Sequence, residues 1–189
     1  PGGWEVSYAS IIPMNLGGTK AYVYPATRGV VAVSTSGRLL GKIDGWKVSA
    51  ANCPSAVDCG EGRIFLSGGY NAGSMMIKAS ASSATKQYAL PQSTFGSHQH
   101  TPIYYQNHIF GISIGNRQFV CLDLQGKVVW SSGHTAQFGL GPYLLADGKF
   151  YILSEDGDLV MAEASTGGYR ELARAQVVGG NAWAPMAIA

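Results

Sequence analysis

Four short apolar strands recur along the chain, each after a turn, at a spacing that few architectures permit. They are Gly18-Thr19-Lys20-Ala21-Tyr22-Val23-Tyr24, Gly60-Glu61-Gly62-Arg63-Ile64-Phe65-Leu66, Gln106-Asn107-His108-Ile109-Phe110-Gly111-Ile112 and Asp147-Gly148-Lys149-Phe150-Tyr151-Ile152-Leu153. Taking Tyr22, Phe65, Phe110 and Tyr151 as anchors gives separations of 43, 45 and 41 residues. A repeat of that length corresponds to one four-stranded β-propeller blade. Helical solenoid repeats have similar periods. They require apolar residues three and four apart, however, and are incompatible with this density of glycine and β-branched residues.

A proline stands eight to eleven residues upstream of each anchor, at Pro13, Pro54, Pro102 and Pro142, and Pro185 continues the series. Proline suits the first residue of a strand, where no ladder donor is needed, so each is expected to open a first strand. The third blade then reads Pro102 to Gln106, His108 to Ser113, Phe119 to Asp123 and Val128 to Ser131. The fourth reads Pro142 to Ala146, Lys149 to Ser154, Leu159 to Glu163 and Tyr169 to Ala173. Their connections, Asp147-Gly148, Glu155-Asp156-Gly157 and Gln125-Gly126, carry the glycines that hairpin turns demand. The expected fold is therefore all-β, a β-propeller of four-stranded antiparallel blades at about 13–52, 54–99, 102–138 and 142–180, plus the first strand of a fifth at 184–189. The stretch Tyr8 to Met14 matches Asn181 to Met186, so both ends fall at one phase of the repeat. The expectation is an incomplete ring, finished by remaining blades of the same propeller or by a second protomer.

Composition narrows the partners. The chain is 46% apolar against 13% charged, ample for a core. Its longest apolar runs, such as Gly29 to Val33, are far short of the roughly 20 residues of a helical membrane span. Thirteen basic and eleven acidic residues are scattered singly, with none of the clustering that marks a nucleic-acid or anionic-lipid footprint. Cys53, Cys59 and Cys121 contain no CxxC pair, which excludes a zinc ribbon and a thioredoxin-type motif. They read as small core hydrophobes. Cys53 and Cys59 could pair only if the chain folds back between them, since along an extended strand they would lie about 20 Å apart, beyond disulfide reach.

Local clusters give candidate contacts and no catalytic set. His98 and His100 alternate within Gly96-Ser97-His98-Gln99-His100-Thr101-Pro102, and an extended segment would place both imidazoles on one face. No Asp, Glu or Cys in that loop completes a metal site, so backbone hydrogen bonding or a ligand contact is expected instead. The stretch Ser67 to Ser74 reads as a long glycine-rich hairpin loop exposing Tyr70 and Asn71 to a partner. A phosphate cradle would need a helix after it, and Met75-Met76-Ile77-Lys78 reads as a strand. Glu155, Asp156 and Asp158 suit a solvated turn, and no GxSxG elbow occurs.

The segment Phe119-Val120-Cys121-Leu122-Asp123-Leu124-Gln125-Gly126-Lys127-Val128-Val129-Trp130 resembles the blade signature of the PQQ-binding-like, or quinoprotein-like, bacterial propellers. In that family the closing Trp slots between neighbouring blades. The resemblance thus implies packing roles for Trp46, Trp130 and Trp183, with Tyr169 where blade four would carry Trp; an aromatic sugar platform is the alternative for these indoles. The family spans quinone-dependent dehydrogenases, an envelope scaffold lipoprotein and many uncharacterised exported proteins. The resemblance therefore implies an extracytoplasmic location, in periplasm or cell envelope, and a binding or scaffolding role with a protein partner. A PQQ and calcium site is expected only if the remaining blades supply it: the oxidising members use adjacent cysteines, and none are adjacent here.

Overall fold

The computed structural model describes residues 3–188. They form sixteen strands and no helix, gathered into four antiparallel sheets whose strands follow one another in chain order. Blade one comprises β1 (Ile12–Leu16), β2 (Thr19–Ala26), β3 (Gly29–Ser34) and β4 (Leu39–Asp44). Blade two comprises β5 (Val57–Asp58), β6 (Arg63–Gly68), β7 (Gly73–Ala79) and β8 (Ala84–Leu90). In blade three the strands are β9 (Ile103–Tyr105), β10 (His108–Ser113), β11 (Gln118–Asp123) and β12 (Val128–Ser131). Blade four holds β13 (Tyr143–Ala146), β14 (Lys149–Leu153), β15 (Asp158–Glu163) and β16 (Glu171–Gln176).

Every third strand slips register against the fourth, at Ala32/Val33, Met76/Ile77, Cys121/Leu122 and Met161/Ala162. A bulge bends its strand and increases the local twist, so these slips recur at one place in each unit. In blade four the last strand begins at Glu171, two residues later than the expected Tyr169. Pro102 and Pro142 sit immediately before β9 and β13, Pro13 lies inside β1 opposite Tyr22, and Pro54 precedes β5 by three residues. Residues 184–188, expected as the first strand of a fifth blade, lie in no strand; Ala189 lies outside the described residues.

The turns also correct the repeat phase. The first residues of the second strands are Thr19, Arg63, His108 and Lys149, so Phe65, Phe110 and Tyr151 align with Ala21, one residue before Tyr22. A one-residue offset in a strand reverses which face a side chain occupies. Ala21 accordingly is buried, while Tyr22 is 43% exposed on the opposite face.

The chain divides at Thr101/Pro102 into two units, each with its own core. In the first unit Met14, Val23 and Ala32 of blade one pack with Leu66, Met75 and Ile77 of blade two, around Trp46. In the second, Phe110, Phe119 and Cys121 of blade three meet Phe150, Ile152 and Val160 of blade four. The Phe150 ring centre lies 4.8 Å from that of Phe110 and 4.9 Å from that of Phe119. Replacing Phe119 by Ala is expected to cost about 3–5 kcal/mol, through lost transfer energy and the cavity left behind; urea unfolding measures it.

All three thiols are free. Burial first, and then the carboxylates of Asp58 and Asp123, push Cys59 and Cys121 up to about 12. The folded values exceed the unfolded value of about 8.5, so the thiols contribute stability that is complete below that pH and is lost as pH rises toward 12. The urea midpoint should fall across that window, and fall less in a Cys59→Ala/Cys121→Ala variant; equal slopes for both proteins would refute the assignment.

Candidate functional site

The most constructed surface feature lies at one end of blade two. Gly68 pairs with Gly73, leaving a hairpin tip of Gly69-Tyr70-Asn71-Ala72 that is closed by Ala72 N–H donating to Gly69 O at 3.0 Å. Tyr70 and Asn71 take φ of 53° and 67°, as the two centres of a type I′ turn require. The long loop expected at Ser67–Ser74 is therefore a tight two-residue turn, because β6 and β7 continue their ladder through the glycines.

The link after β8 folds back against this turn. Asn71 N–H donates to Gln92 Oε1 at 2.8 Å and Ser97 N–H to Ser67 Oγ at 2.7 Å. Phe95 is fully buried, its ring centre 5.9 Å from that of Phe65. His98 lies over Gly69, where a Cβ would come within 2.1 Å of its Cδ2, and its ring centre is 4.6 Å from that of Tyr70. Only glycine admits the ring there. Residues 98–100 bend instead of extending, so His98 and His100 do not alternate on a strand face; the Ser97 hydroxyl donates to the His100 carbonyl and holds the bend. Tyr70, Asn71 and His98 are thus brought to one surface, with Tyr70 42% exposed. No group of three His, Cys, Asp or Glu side chains suited to a metal occurs among the described residues.

The indoles occupy different settings. Trp46 is buried in the first core, close to Val48 and Gly68. Trp130 stands among Phe110, Phe119 and Tyr169, and donates through Nε1 to Ser165 O at 3.2 Å. The Tyr169 hydroxyl is pushed up by burial and by Glu171, to whose Oε2 it donates at 3.1 Å. Trp183 lies outside both cores, 45% exposed, with Nε1 donating to Glu155 Oε1 at 2.9 Å.

Glu155, expected in a solvated turn, is instead a clasp. Its other carboxylate oxygen accepts from Arg117 at 2.6 Å, its N–H donates to Phe138 O, and its carbonyl accepts from Ala182 N–H. The sequence carries no local sign of this, since Arg117 is 38 residues away. Asp158 likewise pairs with Arg174 at 2.9 Å. Sequence reasoning also missed an apolar hollow of about 780 Å³ on blade one, lined by Trp4, Val6, Ile11, Tyr22, Tyr24 and Val33 among others. The alternation of Tyr22 and Tyr24 with the core residues Ala21 and Val23 was its only signal.

Among solved structures the chain is similar to BamB from Moraxella catarrhalis, with a TM-score of 0.66 over 98% of this chain at 10% identity. The chain folds as a β-propeller. It also resembles AztD from Citrobacter koseri, with a TM-score of 0.53, 12% identity and 92% of the chain covered. A protein of unknown function from Bacteroides caccae gives 0.50, 15% and 93%. The propeller chain spans 55%, 47% and 62% of the lengths of these three structures, respectively. At such identities the likeness concerns the fold. No family model matches the propeller chain, and no curated protein does.

In a Glu155→Ala variant the Trp183 indole proton loses its acceptor and should exchange with solvent faster by NMR. The Trp130 indole proton, held by Ser165, should be unchanged. Equal exchange of Trp183 in both proteins would show that the clasp does not hold it.

Proposed function

We propose that this protein is a non-enzymatic propeller of the quinoprotein-like kind that serves as a protein-binding scaffold in the bacterial periplasm or cell envelope. The observation that carries the reading is the hairpin tip of blade two. Tyr70 is presented on a two-residue turn, backed by the His98 ring and flanked by exposed Asn71. A rigid, amphipathic aromatic on a fixed turn loses little entropy on binding, which is why Tyr is favoured at the energetic centres of interfaces. The Phe119–Trp130 segment supports the family assignment.

The described residues do not fit a PQQ and calcium centre. The chain has no adjacent cysteines, Cys59 and Cys121 are buried, and no three acidic, His or Cys side chains converge. A dehydrogenase reading would need a site supplied by other blades.

Capture from a bacterial envelope extract, followed by measurement with the purified partner, tests the proposal. Tyr70→Ala should weaken binding by about 2 kcal/mol, or roughly thirtyfold. Alcohol or sugar oxidation on adding PQQ and calcium, with no partner captured, would overturn it.

A further inference from the structure

The link after β8 has a shape of its own before it reaches the hairpin tip of blade two. Thr94 N–H and Phe95 N–H both donate to Pro91 O, at 2.9 and 3.1 Å, so Gln92 stands inside a closed turn. Three contacts then anchor the link to buried residues of the first unit: Phe95 against Phe65, Ser97 N–H on Ser67 Oγ, and Thr101 Oγ1 accepting from Ser55 N–H at 2.9 Å. Gly96 permits the close approach, since a Cβ there would come within 2.9 Å of Gly68 O.

Those contacts seat the link on the hairpin. Two more go to exposed residues that belong to neither core: Gln92 Oε1 accepts from Asn71 N–H, and the His98 ring lies on Tyr70. His98 Nδ1 is buried with no hydrogen-bond partner among the described residues. That nitrogen therefore does not set the position of the ring; contact with Gly69 and Tyr70 does. Side-chain freedom lost on association weakens a complex, and order supplied beforehand removes that loss. Contacts that fix an exposed aromatic before it meets a partner thus act on affinity.

We infer that Gln92 and His98 are positioning residues for Tyr70. The link after β8 holds the ring in its binding orientation, Gln92 through the Asn71 amide and His98 through its own ring, and so sets how tightly the tip binds. Neither residue needs to touch the partner. The inference rests on the reading of Tyr70 as the binding residue, and it extends that site to a side chain 21 residues from Asn71.

Gly69→Ala isolates the effect of the His98 ring. Gly69 does not take a positive φ, so Ala strains no backbone there. The nearest atoms its Cβ would meet, at 2.1 to 3.0 Å, are all in the His98 ring. That ring must move off Tyr70, while Tyr70, Asn71 and Gln92 keep their identities. Gln92→Ala removes the other support from a surface position, and far-ultraviolet circular dichroism shows that each variant is folded.

NMR of the 189-residue chain with carbon-13-labelled tyrosine reads the order of the Tyr70 ring, and amide hydrogen exchange reads Asn71 N–H. Gly69→Ala and Gln92→Ala should each lower the Tyr70 order parameter. Gln92→Ala should also speed Asn71 exchange by roughly fivefold, whereas Gln92→Glu, whose carboxylate still accepts, should leave both readings at wild type. Against the partner purified by capture, Gly69→Ala and Gln92→Ala should each bind roughly threefold to tenfold more weakly. An unmoved Tyr70 order parameter in both variants would overturn the inference. So would wild-type affinity in both where Tyr70→Ala weakens binding. If Tyr70→Ala itself binds as wild type, the binding role of Tyr70 is lost, and the order parameter alone decides whether the link holds the ring.

Discussion

Burial of sheet faces against one another is the constraint on which this structure depends. A four-stranded meander has two faces, and here the central strands are apolar on both, so an isolated blade would leave one of them in water. Each fully buried Phe, Val or Ile contributes about 1.5–3 kcal/mol relative to exposure, and the two cores concentrate such residues at the pairings of blade one with two and three with four. The backbone ladders satisfy the polar groups of the strands, while the apolar side chains of the central strands fill the contacts within each pair of blades.

Polar groups act at the ends of the blades, where the sheet faces run out. Around Tyr70, the amides of Asn71 and Ser97 tie the turn to the returning link, and the His98 ring fills the space over Gly69. Around Glu155, the carboxylate gathers Arg117 and Trp183, and the backbone carbonyl accepts from Ala182 in the chain leaving blade four. Both are closures between segments distant in sequence, built on rigid hairpins. Both present an exposed aromatic, but Tyr70 stands on a two-residue turn whereas the Trp183 indole is hydrogen-bonded to Glu155, and that difference makes the first the stronger binding candidate.

Much of the fold was legible before any coordinates. The period, the glycine turns and the apolar second and third strands gave the meander, and β10 and β12 were read to the residue. Blade one was misphased because its most conspicuous aromatic, Tyr22, lies one position away from the structural equivalent, Ala21. Hydrophobic pattern alone could not decide between them, since Ala21, Tyr22 and Val23 are all apolar. The candidate site was legible as residues but not as geometry: Tyr70, Asn71 and His98 were singled out, while the tight turn and the bend at residues 98–100 were not. Glu155 looked like any acidic turn residue.

By itself the sequence determined the repeat, the strand content and the turns, because these depend on local φ preferences and on apolar alternation within a few residues. Tertiary structure alone decided which face of each strand is covered, which indole is buried and which side chains converge. Those outcomes depend on pairing and register between segments tens of residues apart. Trp46 and Trp183 show the difference: the same side chain is sealed in a core in one place and hydrogen-bonded to Glu155 at the surface in the other. The indole is identical in both, and only the segments packed around it set its environment.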